Sequence, residues 1–205
     1  MYAKRRSTLK KMIAALSVIL VLLVGVAGTL AYLQVKTGSV QNTFAPSNID
    51  LTLAETATEG GSTTANTYKM IPGVKIDKDP KVTVKADIDC YVFVEVTETE
   101  NFDTYMTYAI AGDWIALDET NHPGVYYREV SADVAKDGEA FYVLAGNKVT
   151  VPNTVTKTDM DKLYSNGTVI TAAQPKLTFT AYAIQKAGFE NNLAGAWAAA
   201  QGQQG

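Results

Sequence analysis

The sequence predicts an all-β protein with minor helices: an antiparallel β-sandwich of jelly-roll type, preceded by an N-terminal signal or transmembrane helix. Three observations lead to this prediction. Short stretches in which apolar and polar residues alternate follow one another along the chain, separated by residues typical of turns. Only residues 156–164 and 190–200 have helical character. An uncharged apolar run from Met12 to Leu33 precedes all of these stretches, and five basic residues precede the run: Lys4, Arg5, Arg6, Lys10 and Lys11.

The basic head, the apolar run and the small residues at its end are the parts of a secretory signal. Thr29 and Ala31 stand at the spacing that signal peptidases recognise, so we expect cleavage after Ala31 or Tyr32, leaving Tyr32 or Leu33 as the new N-terminus. The alternative is a permanent anchor with its basic end inside, because about 20 apolar residues span a bilayer. In both cases the residues after the run are expected to fold outside the cytoplasm.

The segment after the signal has little to bury by itself. Its apolar residues are widely spaced, and Gly38 could host a bulge where their alternation changes phase. We expect this segment to pair with an open sheet edge of the next subunit as a donor strand, through the side chains Leu33, Val35, Val40 and Phe44. The alternatives are that it folds back onto its own sheet or serves as a tether. The predicted organisation is therefore signal peptide (1–32), extended donor segment (33–46), β-sandwich domain (47–189), and C-terminal helix and tail (190–205).

The first half of the predicted domain is organised around one long alternation. Ile49 to Leu53 alternates strictly and predicts a strand, residues 56–67 predict a mobile loop, and Pro72-Gly73 predicts a turn. From Lys81 to Thr97 the even-numbered residues are apolar, so we expect them to face the core. This stretch is too long for one ordinary strand, and we divide it into a hairpin near residues 86–89. Apolar residues at odd positions, Tyr91 and Phe93, indicate that part of the second face is covered as well.

The second half contains shorter elements. Strands are predicted at 114–117, 125–130, 140–151 and 177–183, with the turn composition of Asn121 to Gly124 between the first two. A helix capped by Thr156 or Thr158, with Asp159 in its first turn, is predicted next. The alanine-rich stretch from Glu190 to Ala200 predicts a second helix, with Leu193 and Trp197 on one face.

Several of these stretches resemble the TasA/camelysin family of exported bacterial proteins. The matching residues are Gly28 to Leu33, Asn42-Thr43-Phe44, Ile49 to Leu53, Tyr68 to Gly73, Cys90 to Val94 and Leu177 to Gln185. The resemblance implies a β-sandwich protein that builds extracellular biofilm fibres, is processed by a dedicated signal peptidase, and assembles by donating its N-terminal strand. Some members of the family are described as metallopeptidases.

Charge and cysteine content exclude several classes of function. Five of the 18 Lys and Arg residues precede residue 12, whereas all 21 Asp and Glu residues follow residue 49, so the part after the signal has a formal charge of −8. Such a domain repels phosphate backbones, which argues against nucleic acid as a partner. The single cysteine, Cys90, cannot form an internal disulfide, so stability must come from the core or from partners.

Residues with catalytic or metal-binding chemistry are few. The only histidine is His122, and a zinc protease of the common class needs two imidazoles one helical turn apart. Cys90 and His122 could form a nucleophile and base, but free cysteines are usually buried apolar residues. We therefore expect no enzyme, no catalytic residues and no metal site.

Two further classes of ligand remain as alternatives. Structural calcium could bind near the acidic pairs, although these lack a Gly-centred loop with a closing Glu, and we expect a solvated acidic face: Asp77 and Asp79, Asp87 and Asp89, Asp159 and Asp161 with Asn166. Carbohydrate could bind to an aromatic face, although we expect these side chains to be core and strand-pairing residues: Tyr105, Tyr108, Trp114, Tyr126 and Tyr127.

The sequence thus leads to one expectation and one alternative. We expect a secreted structural protein of the extracellular matrix or cell surface that forms a head-to-tail homopolymer. Its partners would be copies of itself, the signal peptidase and other matrix proteins, and it would meet a membrane only as the uncleaved precursor. The alternative is a membrane-anchored surface adhesin or binding domain, which differs by retaining the apolar run.

Overall fold

The computed structural model describes residues 47–202, which consist mainly of antiparallel strands. The strands are β1 (Ile49–Ala54), β2 (Lys75–Asp77), β3 (Lys81–Ala86), β4 (Cys90–Glu98), β5 (Thr107–Ile110), β6 (Ile115–Asp118), β7 (His122–Val130), β8 (Glu139–Tyr142), β9 (Leu144–Thr150), β10 (Tyr164–Ser165), β11 (Thr168–Val169) and β12 (Leu177–Gln185). The helical segments are Phe102–Tyr105, Ala132–Ala135, Lys157–Asp161, the 3-10 turn Thr171–Ala173 and the C-terminal helix Leu193–Gly202. The predicted all-β class is confirmed, and the predicted N-terminal helix lies outside the described residues.

The longest ladder is built on β4. On one side β12 pairs with it over nine residues, from Leu177 opposite Glu98 to Gln185 opposite Cys90. On the other side β7 pairs with it, and β6 pairs with β7, which gives a four-stranded sheet of order β12-β4-β7-β6. Strand β4 therefore has a partner on both sides from Cys90 to Glu95, and its last three residues pair with β12 alone.

The opposing layer consists of two ladders that continue one another. Strands β1, β3 and β8 form one three-stranded sheet, and β2, β9 and β5 form another. Between them, Val143 N donates to Pro80 O at 2.9 Å and Lys78 N donates to Asn147 O at 2.9 Å. Asn147, with φ of 54°, adopts the left-handed conformation at this interruption. The regular pairing is therefore interrupted at this point, while two main-chain hydrogen bonds still join the strands.

The main core lies between these layers and confirms the predicted parity of the long alternation. Seven of its eight even-numbered apolar residues are buried in one cluster: Val82, Val84, Ala86, Cys90, Val92, Val94 and Val96. The exception is Ile88, which is only half-buried and lies in the connection between β3 and β4. Each of these valine side chains contributes about 1.5–3 kcal/mol when it is fully buried. Partly buried apolar side chains of β1 and β12 also pack against this cluster.

The predicted hairpin at residues 86–89 is wrong. Strand β3 pairs with β1 and β8, whereas β4 pairs with β12 and β7, so residues 87–89 cross from one sheet to the other. The crossing is held by its two aspartates: Asp87 Oδ1 accepts from Asn48 N at 3.2 Å, and Asp89 Oδ1 accepts from Ala132 N at 2.8 Å. Apolar and polar residues alternate with a period of two in both strands, whether a hairpin or a crossing between sheets connects them. The sequence pattern therefore could not distinguish a hairpin from a crossing.

The C-terminal helix covers the second face of β4, as the odd-numbered aromatic residues indicate. The Trp197 ring lies 5.4 Å from Phe93 and makes an edge contact at 4.9 Å with Tyr182. Leu193 packs against the same cluster, so the predicted face is confirmed. The helix begins at Leu193, not at Glu190, because Asn192 Oδ1 accepts from Gly195 N at 2.9 Å and caps it there.

Several local predictions are confirmed. Val74 N donates to Ile71 O at 3.0 Å across the turn at Pro72-Gly73. Residues 56–67 form neither helix nor strand, as predicted for a loop, and their mobility stays a prediction. Thr156 caps the helix Lys157–Asp161 in a capping box with Asp159, and the last predicted strand is β12.

Two boundaries differ from those predicted. The stretch 140–151 is divided into β8 and β9 by the interruption described above. The turn predicted at Asn121 to Gly124 lies earlier in the chain. Asp118 Oδ1 accepts hydrogen bonds from Thr120 N and Asn121 N, and β7 already begins at His122. Gly124 has φ of 77°, and a Cβ there would lie 2.5 Å from Val96 O, so only glycine fits this close approach of β4 and β7.

Replacing Trp197 by alanine should lower the free energy of unfolding by about 3–5 kcal/mol, because the cavity would open directly over Phe93 and Tyr182. Urea denaturation followed by circular dichroism measures this loss. Gln201→Ala, an exposed change in the same helix, is the control and should stay within about 0.5 kcal/mol of the parent. A loss below about 1 kcal/mol for Trp197→Ala would mean that the helix does not stabilise the sheet.

Candidate functional site

The residues predicted to act in processing and assembly precede the described part of the chain. The cleavage positions Ala31, Tyr32 and Leu33 lie outside it, as do the donor side chains Leu33, Val35, Val40 and Phe44. These assignments stay predictions.

Cys90 and His122 do not form a nucleophile and base. Cys90 lies opposite Val130 in the β4–β7 ladder, and His122 lies eight residues before Val130 on β7. At about 3.3 Å per residue the two side chains are roughly 25 Å apart. Cys90 is fully buried, and burial together with the charge of Asp89 raises the pKa of its thiol to about 11. Its position is that of a small apolar core residue, as expected.

The acidic pairs considered for calcium are used in local structure. Asp79 accepts from Thr56 N at 2.8 Å and from Thr56 Oγ1 at 2.7 Å, and despite partial burial these bonds hold the pKa of its carboxyl below the usual range. Asp77 pairs with Lys148, and Asp161 pairs with Lys157. Among residues 47–202, no group of three or more His, Cys, Asp and Glu side chains is placed to hold a metal ion.

Two of the five aromatic residues considered for carbohydrate are buried core residues, and a third, Tyr127, is half-buried and packs against the core. Tyr105 is buried and donates its hydroxyl to Asp159 O at 3.1 Å, and Trp114 is buried and donates Nε1–H to Tyr142 O at 2.8 Å. Tyr127 packs with Tyr91 and Phe93 beneath the C-terminal helix.

The other two aromatic residues, Tyr108 and Tyr126, are half-buried and meet in an open groove. The groove has a volume of about 440 Å³ and is lined by all four residues of β5, by Tyr126 of β7, and by Glu98 and Asp103. We call it the β5 groove. It lies where the two layers end side by side, because the turn from Ala111 to Trp114 connects the edge strand β5 to the edge strand β6.

The electrostatic character of the β5 groove is negative. The Tyr108 hydroxyl donates to Glu98 Oε1 at 2.5 Å, and burial together with this carboxylate raises the pKa of Tyr108 far above its usual value. Burial and the charges of Glu119 and Glu98 raise the pKa of Tyr126 as well. Lys and Arg are absent from the residues that line this groove in the described structure. The groove therefore favours a cationic or strongly hydrogen-bonding guest.

A second hollow of about 330 Å³ is electrostatically balanced. Arg128 stacks on the Phe141 ring at 3.6 Å and pairs with Asp113 at 2.6 Å, and Lys186 pairs with Glu129. Because its cations are already paired with carboxylates, we interpret the contacts around this hollow as structural links between β7 and β8. The β5 groove is therefore the better candidate site.

Sequence reasoning missed strand β5 and the acidic residues of the groove. Thr107 and Ala109 are exposed, whereas Tyr108 and Ile110 are half-buried, so the alternation of a strand is present over only four residues. That alternation was the available signal. The proximity of Glu98 and Glu119 to it depends on the pairing of β4, β6 and β7, which no local pattern encodes.

Comparison of the chain with protein-family models, curated proteins and solved structures finds no match in any of the three. In the part of the chain that the structure describes, the helices are too short or too polar to cross a membrane.

The buried thiol predicts a loss of stability at alkaline pH. An unfolded cysteine ionises above about pH 8.5, whereas Cys90 keeps its proton up to about pH 11 in the folded state, so the folded state binds more protons in this window and stability falls as pH rises. Between pH 8 and pH 10 the parent should lose about 1–2 kcal/mol more than Cys90→Ala does, measured by urea denaturation. The tyrosines titrate in both proteins, so the comparison isolates the thiol. Equal losses in both proteins would show that the folded state does not retain this proton.

Proposed function

We propose that this chain is an exported structural protein of the extracellular biofilm matrix or cell surface that polymerises into fibres. Its signal peptide is removed, and residues 33–46 of one copy then add a strand to the next copy by donor-strand exchange. The observation that carries the proposal is the order of segments: a basic head and apolar run, a segment with too few apolar residues to fold alone, and then an all-β domain.

The architecture of the domain supports this proposal. Both layers end in strands that, among the described residues, pair on one side only: β1 and β5 in one layer, β6 and β12 in the other. Unpaired strand edges are the surfaces to which an additional strand binds. We further propose that the sandwich is of jelly-roll type, with four strands in each layer when β2 and β9 are counted as continuations of β3 and β8.

The proposed role is not enzymatic. The one histidine of the chain lies far from the one cysteine along the β4–β7 ladder, and the cysteine is buried with a raised pKa. The chemistry of the described residues therefore gives no support to the metallopeptidase activity attributed to some members of the family that the sequence resembles. The partners we propose are other copies of the chain, the signal peptidase and further matrix proteins, and the charge of −8 after the signal argues against nucleic acid.

The alternative is a membrane-anchored adhesin that keeps its apolar run. The acidic β5 groove favours the adhesin function if it binds a cationic group of another molecule. The two functions predict different N-termini for the exported protein.

Processing should yield a released protein that begins at Tyr32 or Leu33. N-terminal sequencing and intact mass of the protein from culture medium test this expectation. Protein that begins at Met1 and stays entirely in the membrane fraction would support the anchored adhesin instead.

Deleting residues 33–44 from the processed protein should abolish fibres and leave soluble monomers, because the donor side chains are removed while the strands of the described domain remain. Electron microscopy detects the fibres, and far-ultraviolet circular dichroism checks the β content. Replacing the same residues with glycine and serine keeps the length of the segment, and this variant should also fail to polymerise. Fibres that form as readily from either variant as from the parent would refute strand donation by this segment.

A further inference from the structure

The sandwich is open on the side where β5 forms its edge. Tyr108, Ile110 and Tyr126 pack against the main core, yet each remains only half-buried. The core-facing valines of β3 and β4 are almost fully buried by comparison. The apolar cover of the core is therefore incomplete at the β5 groove. The same holds on the opposite side, where the half-buried apolar residues of β1 and β12 pack against the core: Ile49, Leu51, Leu53, Leu177, Phe179, Ala181 and Ala183.

The backbone of β5 is also open on this side. In the described structure β5 pairs with β9 alone, and all four of its residues line the groove. A strand that enters the groove would meet unpaired main-chain groups along one wall and half-buried side chains on the floor. Both are what strand addition uses: the main chain gives affinity, and the side-chain positions give specificity.

The opposite side of the sandwich, between β1 and β12, is less accessible. Lys78 Nζ lies 5.4 Å from the centre of the Phe179 ring on β12 and 5.2 Å from that of Tyr68. Its salt bridge with Glu55, at 2.8 Å, leaves only 11% and 10% of the two side chains exposed. The side between β1 and β12 is therefore already covered near Phe179, and the covering residue, Lys78, is a cation.

The charge of the groove matches that of the predicted donor segment. Glu98 and Asp103 line the groove and form no salt bridge with any described residue. Residues 33–46 contain a single charged residue, Lys36, and no acidic one. A segment with one cation and spaced apolar side chains is complementary to a groove with two carboxylates and a half-buried floor.

We infer that the β5 groove is the acceptor site for residues 33–46 of a second copy of this chain, with Lys36 placed against Glu98 and Asp103. This inference rests on the proposed function, since it names the place where the donated strand binds. A fully extended segment of 14 residues spans roughly 45 Å and is therefore much longer than the four-residue strand β5. Apolar side chains on both sides of Gly38 can thus reach the groove floor.

A charge exchange between donor and acceptor tests the inference. Lys36→Glu and Asp103→Lys should each slow fibre growth about tenfold, because each places like charges at the contact, and the double variant should return to within about threefold of the parent. Asp103 is exposed and takes part in no side-chain hydrogen bond within the described structure, so the exchange disturbs little else. Fibre growth is measured by light scattering on purified processed protein.

The chain offers a matched control. Asp133 is also exposed and also lies in the first turn of a four-residue helix, Ala132–Ala135, but it does not line the β5 groove. Asp133→Lys should leave fibre growth unchanged and should not rescue Lys36→Glu. If circular dichroism shows that Asp103→Lys does not fold, Glu98→Gln is used in its place. The amide oxygen of the new glutamine can still accept the hydrogen bond from the Tyr108 hydroxyl, so the fold is kept while one negative charge is lost. Glu98→Gln should then polymerise more slowly than the parent.

The outcomes separate this inference from the proposed function. If deletion of residues 33–44 abolishes fibres but the single charge variants polymerise like the parent, the acceptor lies elsewhere, and the inference fails while strand donation stands. The inference also fails if both single variants are slow and the double variant is not restored. If the deletion variant polymerises normally, the proposed function and the inference fall together. Restoration by the exchange, without rescue by Asp133→Lys, supports the inference.

Discussion

The fold depends on a single constraint: strand β4 must be buried on both faces and hydrogen-bonded on both edges. Its even-numbered side chains fill the core between the two layers, while Tyr91 and Phe93 require a cover on the other face. The crossing at residues 87–89 supplies β3 to the opposite layer, and the C-terminal helix brings Trp197 onto the second face. A domain without disulfides gains its stability from such burial, so the far end of the chain is bound to its centre.

The acidic residues have a second physical role in this architecture, which is to fasten the connections between strands. Asp87, Asp89 and Asp118 each accept hydrogen bonds from main-chain N–H groups in neighbouring connections, and Asp159 does so in the capping box. A carboxylate bonded to N–H groups is stabilised in its charged form without a metal or an arginine. Of the aspartates considered for calcium, four are explained by such hydrogen bonds in connections and caps: Asp79, Asp87, Asp89 and Asp159. Asp77 and Asp161 are explained by ion pairs with lysines.

Much of the fold could be predicted because its determinants are local. The parity of the long alternation, the capping box at Thr156 and the face shared by Leu193 and Trp197 all depend on residues within a few positions of one another. The hairpin prediction failed because a period of two does not specify whether the next strand lies beside its predecessor or across the core. Strand β5 was missed because its pattern covers four residues, and the groove beside it exists only through non-local pairing. Only its tyrosines could be named in advance, without their carboxylate neighbours.

The same non-local arrangement explains how an open edge can be tolerated in a domain of this kind. An unpaired strand beside half-buried side chains invites association with any other edge, and native proteins counter this with charge. Here the charge is acidic on the groove, and residues 34–205 carry a formal −8, so two such domains repel each other edge to edge. In the proposed assembly the segment 33–46, with no acidic residue, escapes that repulsion. Its contact with the groove is head to tail and leaves both a donor and an acceptor unused at the ends, so growth continues as a filament and does not stop at a dimer. In this proposal the negative charge opposes edge-to-edge pairing of two domains and leaves polymerisation through the segment 33–46 open.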